Sequence, residues 1–113
     1  VHLKEQTPFN MDDHEGDHSF REIPWDVETG NLMITHNYYD HKDAEKDINI
    51  ILPVDTIKEL KQNGEIGDIA SRHFSFMGHI TGSHVEALVK TTAHEVAERL
   101  KADNVDIVIL TPS

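Results

Sequence analysis

Nine histidines in 113 residues supply this chain with many groups that titrate near neutral pH and can bind metals. Three of them share one stretch, Arg72-His73-Phe74-Ser75-Phe76-Met77-Gly78-His79-Ile80-Thr81-Gly82-Ser83-His84. Neutral imidazoles suit Zn²⁺, Fe²⁺ and Ni²⁺, so His73, His79 and His84 are the weak metal-ligand candidates. Their spacings of six and five residues match no zinc pattern, and no HExxH is present. The expectation is no metal site, with each histidine hydrogen-bonded or solvated. The same stretch leads into a helix, whose free N–H groups would favour a carboxylate ligand, with Gly78 and Gly82 permitting close backbone approach. The alternative is that Phe74, Phe76 and Met77 are core and that Gly82 precedes an ordinary cap.

Other constellations point to less. His14 and His18 lie among Asp12, Asp13, Glu15 and Asp17, without the ligand order of an EF-hand, and read as a solvated acidic loop. Asp40, His41, Asp43, Glu45 and Asp47 read the same way. Ser75, Ser83 and Ser113 have no GxSxG elbow, and neither a Walker A loop nor GxGxxG occurs. With no cysteine, the segment has no disulfide, thiolate ligand or thiol nucleophile. A formal charge of −11, with ten scattered Lys/Arg against 21 acids, argues against nucleic acid and against an anionic membrane surface. The apolar runs are too short to span a bilayer and no signal-peptide pattern is seen, so a cytoplasmic protein is expected.

The elements that must position these residues come from turn signals and periodicity. Residues 1–31 read as an irregular, loop-rich segment, with a short strand from Ser19 to Ile23 ended by Pro24. Residues 32–113 read as the α/β core of a single partial domain. Leu32 to His36 predicts a strand and Tyr38 to Asp47 a polar loop. Ile48 to Leu52 fits either a strand or an extended lead-in to a helix. Val54, Ile57 and Leu60 predict a helix over 54–62, with Gly64 as its left-handed terminator. Arg72 to His79 fits a short strand or a buried loop. Ser83 and Glu86 form a capping box for a helix reaching Ala102, its apolar face made by Val85, Leu88, Val89, Thr92, Val96 and Leu100. Asp103-Asn104 predicts a turn, and Val105 to Leu110 the clearest strand of the chain. Helix, tight turn and continuous apolar strand form the αβ unit of a three-layer α/β sheet with flanking helices, Rossmann- or flavodoxin-like and incomplete as a fragment. Active sites of such folds gather where loops leave the strands' carboxyl ends, here at Thr111-Pro112-Ser113. Val1 in place of Met fits a trimmed chain.

The ordered set of segments resembles a known family. Val1-His2-Leu3-Lys4, Pro8-Phe9-Asn10, Asp17-His18-Ser19-Phe20-Arg21-Glu22-Ile23-Pro24, Ile50-Ile51-Leu52-Pro53-Val54-Asp55, Gly64-Glu65-Ile66-Gly67, His73-Phe74-Ser75-Phe76-Met77-Gly78 and Leu100-Lys101-Ala102-Asp103-Asn104-Val105-Asp106 are similar to the selenoprotein B family of glycine, sarcosine and betaine reductases and the selenocysteine subunit of D-proline reductase. The resemblance implies reductive cleavage of a carbon–nitrogen bond. The amino-acid substrate is held through a pyruvoyl group on a partner subunit, and a selenolate attacks the activated carbon. It further implies a strand before Val1 and a selenocysteine or cysteine following Ser113, so that the end at Ser113 would mark a selenocysteine codon. This segment would then be scaffold and pocket wall, inactive alone. Ser75, Phe76, Met77, Gly78, Gly82 and Ser83 would line the pocket, with His73 or His79 as proton donor. A homo-oligomer is compatible with this picture. The competing expectations are a non-catalytic metal- or small-ligand-binding module and an inactive truncated paralogue.

Overall fold

The computed structural model describes residues 1–36 and 40–112. Tyr38 and Tyr39 of the expected polar loop, and Ser113 of the expected strand exit, lie outside the described residues. Among the described residues the strands are four and short: β1 (His2–Leu3), β2 (Phe20–Pro24), β3 (Leu32–Met33) and β4 (Arg72–Phe76). They form two antiparallel pairs. In one, Leu3 of β1 lies opposite Leu32 of β3; in the other, β2 pairs with β4 from Phe20↔Phe76 to Pro24↔Arg72. Cross-strand aromatics hold the second pair, with the Phe20 ring 5.7 Å from Phe74 and 5.9 Å from Phe76. The strand expected to end at Pro24 therefore forms, and Arg72–Phe76 is a strand rather than a loop.

The core sits under β2. Ile23, Val27, Leu32 and Val54 are buried together, with Val1, Leu3, Ile48 and Leu52 packed against them. Three of those eight come from the segment after Lys46, and Ile23 and Val27 come from the stretch that read as irregular. His2 is fully buried but satisfied, with Nδ1 2.7 Å from the Leu3 carbonyl and Nε2 3.0 Å from Thr35 Oγ1.

The helices are α1 (Lys42–Lys46), α2 (Val54–Gln62), α3 (Gly82–Ala87) and α4 (Ala93–Ala102). α2 has the expected bounds, and Gly64 follows it with φ +73°. α1 replaces part of the expected polar loop, because Ala44 finds a buried place while Lys46 pairs with Asp43 at 2.8 Å. Ile48–Ile50 is a 3₁₀ turn, started by the Asp47 carboxylate accepting from Asn49 N, and neither a strand nor an extended lead-in.

A π-helical turn, Leu88–Thr92, joins α3 to α4 in one continuous helix. One extra residue in a turn rotates all later side chains by about 100°. The single apolar face read from the sequence is therefore broken: Val85 and Val89 are exposed while Thr92 and Val96 are buried. At the far end Arg72 grips Asp103 with both Nε (2.7 Å) and Nη2 (3.0 Å), and Glu22 pairs with both Arg72 and Arg99. This network fastens the end of α4 to the β2–β4 pair. Asn104, at φ +55°, makes the expected turn.

Val105–Leu110 departs from expectation. No strand lies beside it among the described residues, and its own backbone is irregular, with Ile107 81% and Leu110 87% exposed. A strand exists only where its N–H and C=O groups find a neighbour. The first side-chain tie after it is Thr111 Oγ1 donating to the Ile51 carbonyl at 2.6 Å. No helix of the described residues is long and apolar enough to cross a membrane.

Candidate functional site

The three histidines of the 72–84 stretch go to different environments. His73 stands on β4 opposite Ile23, and burial lowers its pKa, with the Lys58 charge adding to the shift. Its imidazole is therefore neutral at pH 7. His79 has Nε2 3.0 Å from the His14 carbonyl. His84 lies on α3. Among the described residues no group of three or more His, Cys, Asp or Glu is placed to hold a metal ion.

What His79 and His84 meet is the stretch from Asp12 to His18, which was expected to be solvated. Gly16 forms an isolated bridge with Ile80, and Thr81 N donates to the Glu15 carbonyl at 2.7 Å. Gly16 is required by space as well as by its φ of +94°: a Cβ there would lie 1.9 Å from the His79 carbonyl oxygen. Farther along, Thr92 Oγ1 in the π turn donates to the His18 carbonyl at 2.9 Å. The extra residue of that turn thus places a buried hydroxyl on the loop.

The start of α3 is capped from outside the helix. Glu15 Oε2 accepts from Ser83 N at 3.1 Å and from Ser83 Oγ at 2.8 Å. Those two hydrogen bonds hold the Glu15 carboxyl below its usual pKa, and burial only partly opposes them. The expected capping box is absent: Ser83 serves Glu15, and Glu86 pairs instead with Lys90. Gly82 admits this arrangement, since a Cβ there would overlap the Glu15 carboxylate at 1.9 Å. The helix terminus proposed for a carboxylate ligand thus already carries a carboxylate of the chain itself.

Next to it three titratable groups line up. His84 Nε2 is 3.1 Å from Asp13 Oδ2, and His84 Nδ1 is 2.6 Å from His18 Nδ1. The two rings are 4.8 Å apart and tilted by 31°. A backbone hydrogen bond from Glu15 is the main cause of the lowered Asp13 pKa, followed by the hydrogen bond from His84. Sequence reasoning could not find this trio, because His18 and Asp13 lie 66 and 71 residues before His84. No local spacing encodes such a contact.

The expected pocket residues divide. Phe76, Met77 and Gly78 line a cavity of about 20 Å³ together with Val1, Phe9, Ile34, Thr35 and His36. That is room for about one water. Ser75 Oγ is 3.3 Å from the Val1 nitrogen, while Gly82 and Ser83 belong to the Glu15 contact. A larger open groove, about 460 Å³, is lined by Trp25, Asp26, Lys58, Lys61 and Gln62. Lys61 Nζ sits 4.9 Å from the centre of the Trp25 ring and 2.6 Å from Asp68, and Lys58 donates to the Val27 carbonyl at 2.8 Å. None of its residues was singled out from the sequence, where a lone Trp and two lysines carry no signal.

Residues 18–113 match the family model for glycine/sarcosine/betaine reductase selenoprotein B. D-proline reductase subunit gamma of Acetoanaerobium sticklandii is 38% identical over 111 residues, which is 98% of this chain and 44% of that protein. Glycine reductase complex component B subunit gamma of Symbiobacterium thermophilum is 40% identical over 76 residues, 67% of this chain and 17% of the relative. Betaine reductase complex component B subunit beta of Peptoclostridium acidaminophilum is 33% identical over 85 residues, 75% and 19% respectively. The chain thus spans less than half the length of these relatives. No solved structure matches. With the family model covering most of its length, this chain belongs to the glycine/sarcosine/betaine reductase selenoprotein B family.

Proposed function

We propose that the chain is part of a reductase subunit that cleaves a C–N bond in an amino-acid substrate of the D-proline, glycine, sarcosine or betaine type. The observation that carries this reading is the similarity to D-proline reductase subunit gamma along 98% of the chain. The 113 residues contain no cysteine, so no thiolate or selenolate step is assigned to them. The selenocysteine or cysteine expected after Ser113, and the pyruvoyl group on a partner subunit, belong to the same proposal. Within it, these residues are wall and support: β2–β4 carries the half-buried, neutral His73, and the 12–18 loop fixes the start of α3.

The three-layer α/β sheet is part of the proposal too. Ile107, Val108, Ile109 and Leu110 are all more than half exposed, and a strand at 105–110 paired with strands elsewhere in the subunit would cover them. The experiment uses the full-length subunit assembled with its partner, supplied with a dithiol and, separately, each of the four substrates. The expected result is consumption of one substrate with matching oxidation of dithiol. Consumption of none, under conditions where the partner carries its pyruvoyl group, overturns the reading.

A further inference from the structure

We infer that the open groove between Trp25 and α2 binds a small zwitterionic amino acid, its carboxylate on Lys58 and Lys61, its carbon body on the Trp25 ring and its ammonium on Asp26. None of the groove's residues belongs to the pocket expected from the family resemblance. Only the choice of amino acids to try rests on the proposed C–N cleavage.

Sequence and packing build the groove from two sides. Pro24 ends β2, and Trp25 is tied just beyond it, its backbone N–H donating to the Ser71 carbonyl at 3.2 Å. On α2, Lys58, Lys61 and Gln62 recur three and four residues apart and so share one helix face. Between the two sides lie about 460 Å³, within the range of small-molecule sites. The Lys58 side chain is only 24% exposed and that of Lys61 36%, so both ammoniums are held in place. Lys58 uses one N–H on the Val27 carbonyl and Lys61 one on Asp68. A lysine ammonium has three donors, which leaves some on each for a carboxylate. The Asp26 carboxylate, the Gln62 amide and the Trp25 indole N–H make no hydrogen bond among the described residues.

The mixture of charges selects the ligand. The hydrogen bond from Lys61 holds the Asp68 carboxyl below its usual pKa, and Asp55 lies 3.9 Å from Lys58 Nζ. With Asp26, three carboxylates therefore surround two ammoniums. A phosphate or other bare anion meets like charge there, on a chain whose formal charge is already −11. A bare cation meets the two ammoniums, one of them already 4.9 Å from the centre of the Trp25 ring. A zwitterion sets each of its charges against the opposite one and adds no net charge. Its carbon body covers the half-exposed face of Trp25, the apolar part of the groove.

Trp25 is the one tryptophan of these 113 residues, which gives the groove its own reporter. The test is nitrogen-15 NMR of the tryptophan-labelled full-length subunit, with the Trp25 indole signal identified by its loss in Trp25→Phe. Glycine, sarcosine, betaine and D-proline are titrated in turn, with acetate and tetramethylammonium as probes carrying one charge each. At least one of the four zwitterions should move the signal saturably, with a Kd of about 1 mM for a small ligand in a site open to water. The single-charge probes should bind about tenfold more weakly or worse, each lacking one charge-assisted contact. Asp26→Asn and Lys61→Gln should each weaken the zwitterion by about tenfold for the same reason, and Lys61→Arg should restore most of it. No saturable shift from any of the four overturns the inference. So does acetate or tetramethylammonium binding as tightly as the zwitterion, or unchanged affinity in Asp26→Asn and Lys61→Gln. Turnover by the assembled complex decides the C–N reading separately, and the indole titration stands whichever way that falls.

Discussion

The stretch from Asp12 to His18 carries four carboxylates and two histidines, yet its backbone and side chains are tied to the 79–84 turn, to α3 and to the π turn. The stretch from Val105 to Leu110 carries five aliphatic residues, yet Ile107 to Leu110 stand more than half exposed. Both are irregular in backbone. They differ in whether their polar groups find partners. In the acidic loop, Asp13, Glu15 and Asp17 each accept from a backbone N–H within two residues or across the fold. In the apolar segment, Ile107 to Leu110 are left more than half uncovered, and no strand among the described residues pairs with the backbone. Hydrophobicity states what a segment can bury, whereas hydrogen-bond partners decide where a polar segment is held.

The strongest way to break this contrast is Gly16→Ala. The new methyl would meet the His79 carbonyl oxygen at 1.9 Å, and φ +94° is costly for any residue with a Cβ. The loop must then leave the turn, taking the Glu15 and His18 contacts with it. A loss of about 3 kcal/mol is expected in chemical denaturation, from strain together with broken hydrogen bonds. A change below about 0.5 kcal/mol would show that the loop is not clasped.

A gentler probe is Asp17→Asn, read against pH. Burial pushes the Asp17 carboxyl up, but hydrogen bonds from Ser19 and Asn10 and the Arg21 charge outweigh it, so its folded pKa lies below the ordinary 3.8. A depressed carboxyl contributes stability above the unfolded pKa, and that contribution disappears as pH falls through the folded value. Asp17→Asn is therefore expected to cost about 1.5 kcal/mol at pH 7, for charge-assisted hydrogen bonds weakened in a partly screened site. The gap to wild type should close below pH 3.8. His73 adds a separate slope: with its folded pKa below 6.5, stability is full above 6.5 and falls as pH drops below it. A gap that stays constant down to acid pH would show that the Asp17 charge plays no part in holding the loop.

Much of the fold was legible. The bounds of α2, the strand before Pro24 and the helix end at Ala102 followed from periodicity and turn residues, because each is fixed by neighbours in sequence. The π turn was not, since one extra residue in a helix leaves no mark in composition. The candidate site was legible only in part. His79, Gly82, Ser83 and His84 were singled out, but their partners Asp13, Glu15 and His18 are more than 60 residues away and gave only the pattern of a solvated loop. Ser83 illustrates the limit. Its spacing to Glu86 is that of a capping box, and a carboxylate from a distant loop takes its place.

The smallest expected effect sharpens the other half of the comparison. Ile107 is 81% exposed, so Ile107→Lys in the 113-residue chain should change unfolding free energy by no more than about 0.5 kcal/mol. The same substitution in the full-length subunit would place an ammonium where the proposed strand is covered on both faces, and burying an unpaired charge costs several kcal/mol. A small effect in the short chain with loss of soluble, assembled full-length subunit is the expected pair of results. Amide exchange locates the cause: residues 105–110 should exchange freely in the short chain and be protected in the whole subunit. A harmless Ile107→Lys in both would mean that this apolar segment stays exposed in the assembly, and would remove it from the proposed sheet.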